Sequence, residues 1–131
     1  MKKICVAVDT SEMAQKVGDF AINLARSLNC ELHVIYVVDS QKVMKSVPYL
    51  LYLGEETLKR FEERAKEMGV KVHKVIVEGR PNEKIAEFVR SEGFDLLIIG
   101  SRGESPIKEF FLGGTAMKIV KSVEIPVIIV K

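Results

Sequence analysis

The chain has 131 residues, close to the usual size of one domain, and at that length it can bury a core without disulfide or metal staples. An apolar fraction of 47% fits a globular protein. The net charge of +2, with no long run of like charge, removes the electrostatic argument for nucleic acid, and no apolar run approaches the ~20 residues of a membrane span.

Strand and helix signals alternate along the chain. Residues 4–8 form a short β-rich run that ends in Asp9-Thr10-Ser11, where Ser11 is a candidate helix cap. Ala14, Val17, Phe20, Ala21, Leu24, Ala25 and Leu28 then recur at helical spacing. Residues 32–38 read as a second strand. Leu58, Phe61, Ala65 and Met68 mark a second helix stopped by Gly69. Residues 70–77 give a third strand, interrupted by Lys71, His73 and Lys74. Pro81 opens a third helix through Ile85, Ala86, Phe88 and Val89. Residues 96–99 are a fourth strand, residues 116–122 a fourth helix, and residues 126–130 a fifth strand. Residues 40–54 are the least regular stretch, readable as a lid or partner surface or as the first turns of a long second helix packing on the sheet.

This rhythm predicts a single α/β domain over residues 1–131, a doubly wound five-stranded parallel sheet with helices on both faces. Strands 1 and 4 are short and uniformly apolar, which suits central positions, whereas strand 3 suits an edge. Right-handed crossovers then favour the order 3-2-1-4-5, with the switch point between strands 1 and 4. Ligands bind outside the carboxyl ends of the strands at such a point, and here those ends are Asp9 and Gly100.

The stretch from Gly100 to Ala116, with Gly103, Gly113 and Gly114 in it, joins that fourth strand to a helix start. Glycines let backbone N–H groups approach an anion, and a helix N-terminus adds unpaired donors and positive partial charge. The same residues also suit a plain tight turn and cap. Asp9 reads either as a ligand contact or as a cap of the first helix, and Arg102 as a phosphate or ribose contact or as a solvated charge. Lys108, beside Glu109, reads as surface. His33 and His73 lack a second ligand at metal spacing and read as ordinary strand histidines. No Ser/His/Asp or Cys/His set, Walker A loop or GxGxxG after strand 1 is present. Cys5 and Cys30 lie in or beside apolar runs without a CxxC, and buried thiols are expected. The opening goes directly into a strand, so a cytoplasmic location is expected. Abundant lysine and glutamate lean toward a thermophilic source.

Several segments together resemble the universal stress protein (UspA) superfamily over essentially the whole chain: residues 4–12, Val37-Val38-Asp39, Gly79-Arg80-Pro81, residues 94–103, and residues 125–130. The resemblance implies an adenine nucleotide α-hydrolase-like fold and, in the nucleotide-binding branch, a loop of glycine, two residues, glycine, nine residues, glycine and a hydroxyl residue. Gly100, Gly103 and Gly113 fall at that spacing, but Gly114 stands where serine or threonine belongs and Thr115 follows one place late. AMP or ADP could therefore suit the loop better than ATP. The nucleotide-binding residues so implied are Val8, Asp9, Thr10, Val37, Gly100, Ser101, Arg102, Gly103, Gly113, Gly114 and Thr115. Asp9 would meet the ribose or a phosphate-bound Mg²⁺, and the Val37 backbone would meet adenine.

The expected role is that of a stress-response or signalling protein that binds ATP or another adenine nucleotide and presents a ligand-dependent surface to a protein partner. No general base stands out, so at most slow ATP hydrolysis or autophosphorylation is expected. The alternative is a nucleotide-independent dimeric adaptor or holdase, which Gly114 favours. An ATP-pyrophosphatase type of enzyme would need a Ser-Gly-Gly loop where this chain has Asp9-Thr10-Ser11. The short apolar fifth strand, Val127, Ile128, Ile129 and Val130, is expected at an open edge, which predicts a two-fold homodimer, as the family often shows.

Overall fold

The computed structural model describes residues 1–41, 46–102 and 112–131. Nine elements follow in order: β1 (Lys3–Val8), α1 (Ala14–Leu28), β2 (Glu31–Asp39), α2 (Val47–Glu67), β3 (Val72–Gly79), α3 (Pro81–Glu92), β4 (Leu96–Gly100), α4 (Gly114–Ser122) and β5 (Val127–Val130). The strands form one sheet in the order β3-β2-β1-β4-β5, and every pair is parallel.

Side-chain alternation divides the central strands between two cores. Ile4 and Val6 of β1, Leu32 and Val34 of β2, and Leu96 and Ile98 of β4 face α1 and α2. Cys5, Ile35, Leu97 and Ile99 face α3 and α4. Near-continuous apolar runs in β1 and β4 are what burial on both faces requires. Burial pushes the Cys5 thiol well above its ordinary range, and both cysteines are free.

Helix ends explain where sequence and structure part. Gly69, at φ 74°, closes α2, with its N–H donating to Lys66 O at 3.0 Å and that of Val70 to Ala65 O at 2.8 Å. This paired cap engages Val70, so β3 starts at Val72 rather than at residue 70. At the other end, Ser46 accepts the Tyr49 N–H and Pro48 occupies the first turn, so α2 already begins at Val47. Residues 47–54 are thus the first turns of the long second helix. Gly54 lets that helix lie against Tyr36, since a Cβ there would stand 2.7 Å from the ring. Ser11 is not the side-chain cap of α1: Met13 holds the cap position without a side-chain bond, and it is the Ser11 carbonyl that accepts the Ala14 N–H.

The register also corrects the reading of the histidines as isolated. His33 of β2 and His73 of β3 are direct partners across the parallel ladder.

Candidate functional site

At the carboxyl ends of β1 and β4 the crossovers diverge, α1 to one face and α4 to the other, and leave a cleft at the switch point. A cavity of about 260 Å³ occupies it. Val8, Asp9, Val37, Gly100, Arg102 and Thr115 of the predicted set line its wall. Thr10, Ser101, Gly113 and Gly114 do not. Thr10 lines a neighbouring groove of about 410 Å³ toward α2 and is hydrogen-bonded with Tyr36. Gly103 and Lys108 lie outside the described residues, as does most of the loop between them and α4.

The glycines do something other than the spacing suggests. A Cβ on Gly100 would stand 3.2 Å from Val17 Cγ2, and one on Gly113 would stand 3.2 Å from Arg102 Cα. Both positions allow chain segments to approach each other closely. The Gly113 N–H donates to Ser101 O at 2.7 Å, and the Ser101 N–H donates to Val130 O at 2.8 Å. Both amides are therefore engaged within the chain. Helical bonding in α4 starts with Met117 N–H to Gly113 O at 2.9 Å. The N–H groups of Gly114, Thr115 and Ala116 belong to the first turn, which has no intrahelical acceptor. Gly113 holds the cap position and offers no side-chain acceptor. The anion-binding potential of this helix end thus moves one to three residues on from Gly113, onto a turn of which Thr115 and Ala116 face the cleft.

Two charged groups of the cleft wall, Asp9 and Arg102, have partners within the chain. Asp9 Oδ1 accepts the Ser11 N–H at 2.8 Å, which fixes the β1–α1 loop rather than capping the helix. Arg102 Nη2 lies 3.5 Å from Glu12 Oε1 across the cleft mouth. Burial, and the Asp9 carboxylate behind it, push the Tyr36 phenol above its usual range, opposed by its bond with Thr10. Tyr36 thus remains a neutral hydrogen-bonding group beneath the loop.

The sequence did not single out the apolar half of the wall. Tyr36, Leu50, Pro81 and Ile85 close the side beside Val37. Pro81 was visible as a helix opener and Ile85 as core, but nothing in their spacing said that they share a cleft. Strand order does: β2 and the start of α3 meet at the carboxyl edge.

A family model described as the universal stress protein family matches residues 1–131. Universal stress protein MJ0531 of Methanocaldococcus jannaschii is 32% identical over 139 residues, covering 99% of this chain and 82% of its own length. Among solved structures, universal stress protein UspA from Lactobacillus plantarum superposes with a TM-score of 0.90 at 20% identity, covering 99% of this chain and 97% of that one. Two neighbours are described with nucleotides. One is a universal stress protein in complex with cAMP (TM-score 0.79, 22% identity, 99% and 97% coverage). The other is the Archaeoglobus fulgidus protein in complex with dAMP (TM-score 0.78, 21% identity, 100% and 98% coverage). None of the described helices is long and apolar enough to cross a membrane.

Proposed function

The chain belongs to the universal stress protein family, and on that premise we propose that its switch-point cleft binds an adenine nucleotide with few phosphates. The observation that carries the reading is the convergence of a half-apolar cavity with the open first turn of α4. The apolar wall of Val37, Pro81 and Ile85 suits a base, and the N–H groups of Gly114, Thr115 and Ala116 suit a phosphate. The cAMP and dAMP complexes of neighbouring folds support the same ligand class.

The phosphate count follows from two features. A cavity of about 260 Å³ lies just under the ~300–1,000 Å³ usual for ligand pockets, so the nucleoside fills it and phosphate stands at the mouth. Gly114 supplies an amide but no hydroxyl for phosphates farther out. AMP or ADP is therefore the favoured ligand over ATP, and Mg²⁺ at Asp9 would enter only with a polyphosphate. The role is binding rather than turnover, with ligand state changing the surface offered to a protein partner.

Calorimetric titration with AMP, ADP and ATP tests this, alongside Thr115→Asp. Thr115 is exposed in the first turn of α4. A carboxylate there favours the helix by about 0.3–1 kcal/mol. It also sets a negative charge within ~4 Å of the proposed phosphate, a repulsion of at least ~1 kcal/mol, so affinity should fall about fivefold or more. Equal binding by both proteins, or none by the parent, contradicts the proposal.

A dimer through β5 is proposed as well. β5 has β4 as its one neighbour in the sheet, and Val127, Ile128 and Ile129 are only half-buried. Sedimentation equilibrium at micromolar concentration should give twice the monomer mass; a monomer would end this part of the reading.

A further inference from the structure

At the opposite end of the sheet from the cleft, three metal-ligating side chains converge. Glu31 and His33 are two apart on β2 and so share a face, and His73 is the ladder partner of His33 on β3. His33 Nε2 lies 2.7 Å and His73 Nε2 3.1 Å from the same oxygen, Glu31 Oε1. The two imidazoles stack at 4.4 Å with 20° between their planes. Phe94 packs edge-on against His33 at 5.0 Å and holds that ring in place. One ligand atom from each residue lies within 4.8 Å of the others.

We propose that Glu31, His33 and His73 form a binding site for a divalent transition-metal ion of the zinc type. Two imidazoles and a carboxylate are donors such ions accept. Bonds of ~2.0–2.2 Å in tetrahedral geometry put ligand atoms roughly 3.3 Å apart; the two Glu31–histidine separations, 2.7 and 3.1 Å, need to open by a few tenths of an ångström, and the two histidines, whose ligand atoms lie within 4.8 Å of each other, turn to share the ion. The carboxylate can only accept, so without metal it is His33 Nε2 that carries the proton in its hydrogen bond to Glu31. On metal binding any proton on a ligating Nε2 leaves, for Nδ1 or for solvent, and the lone pairs turn to the ion.

Lys3, the partner of Glu31 in the ladder, is the nearby charge that opposes a cation. Its ammonium is held elsewhere, on Glu92 O at 2.8 Å and over the Phe94 ring at 4.8 Å. Glu31 and His73 are exposed and His33 is not, so three ligands come from one sheet face and a fourth position opens to solvent.

The chain contains just two histidines, which makes the test direct. The imidazole Cε1–H signals are followed by NMR while ZnCl₂ is added to the full chain in nucleotide-free, non-chelating buffer. Calorimetry runs in parallel. Both signals should change together and saturate at one equivalent. His73→Ala and Glu31→Gln, both at exposed positions, should weaken binding on the order of tenfold or more. Cys30→Ser should leave it unchanged. Absence of saturable binding, a response from one histidine alone, undiminished binding in both variants, or loss in Cys30→Ser would each overturn the proposal.

Discussion

The Gly113 N–H donates to the Ser101 carbonyl at 2.7 Å, so the Gly113 amide is engaged within the chain. The bond ties the residue before α4 to the residue after β4 and leaves Gly114 as the first amide beyond the tie. A Cβ at Gly114 would meet nothing within 4 Å. Gly114→Ser should therefore fold as well as the parent, because the backbone there is not in the left-handed region and the added side chain meets open space. The new hydroxyl stands where the family pattern has one. The ratio of ATP to AMP affinity, measured by calorimetry, should rise by severalfold. An unchanged ratio would mean that phosphates do not pass this position.

The Arg102–Glu12 pair stands across the same cleft mouth. It is long and largely exposed, and such pairs contribute about 0–1 kcal/mol. Glu12→Gln should cost little stability and free the guanidinium for a phosphate. Nucleotide affinity should rise up to about fivefold at low salt, with the gain fading as salt is raised. A loss of affinity would show that Glu12 itself faces the ligand.

Much of this architecture is legible in the residues. Apolar runs at 4–8 and 96–99 can be buried on both faces only at the centre of a sheet, and the strand order follows from them. Local signals are less complete. Asp9 and Ser11 suit a helix cap by type, yet their bond to each other forms the loop before α1. The glycine spacing marks the loop correctly but carries no information on which amide is already bonded, so Gly113 reads as a donor to ligand when it is a donor to Ser101. His33 and His73 are forty positions apart and meet only through the β2–β3 register, which no local spacing encodes.

Asp95 ties the end of the sheet opposite the cleft. Its Oδ2 accepts the N–H groups of Lys2 and Lys3, each at 2.9 Å, and these bonds hold its carboxyl below the ordinary value of 3.8. A carboxylate with a depressed value in the folded state adds stability above the unfolded value, and that stability is lost as pH falls through the folded one. Asp95→Asn should therefore be less stable than the parent at pH 7, and the urea midpoints of the two should draw together as pH falls below 3.8. A constant gap across that range would assign the effect to something other than ionisation.

The central claim is that phosphate lies on the first turn of α4. Backbone amide NMR of the ¹⁵N-labelled chain during AMP titration tests it most directly. The account predicts saturable shifts at Gly114, Thr115 and Ala116 together with Val37, while Lys2 and Asp95 at the far end of the sheet stay still. Saturable binding that leaves those three amides unmoved, or no response up to millimolar AMP, would contradict it.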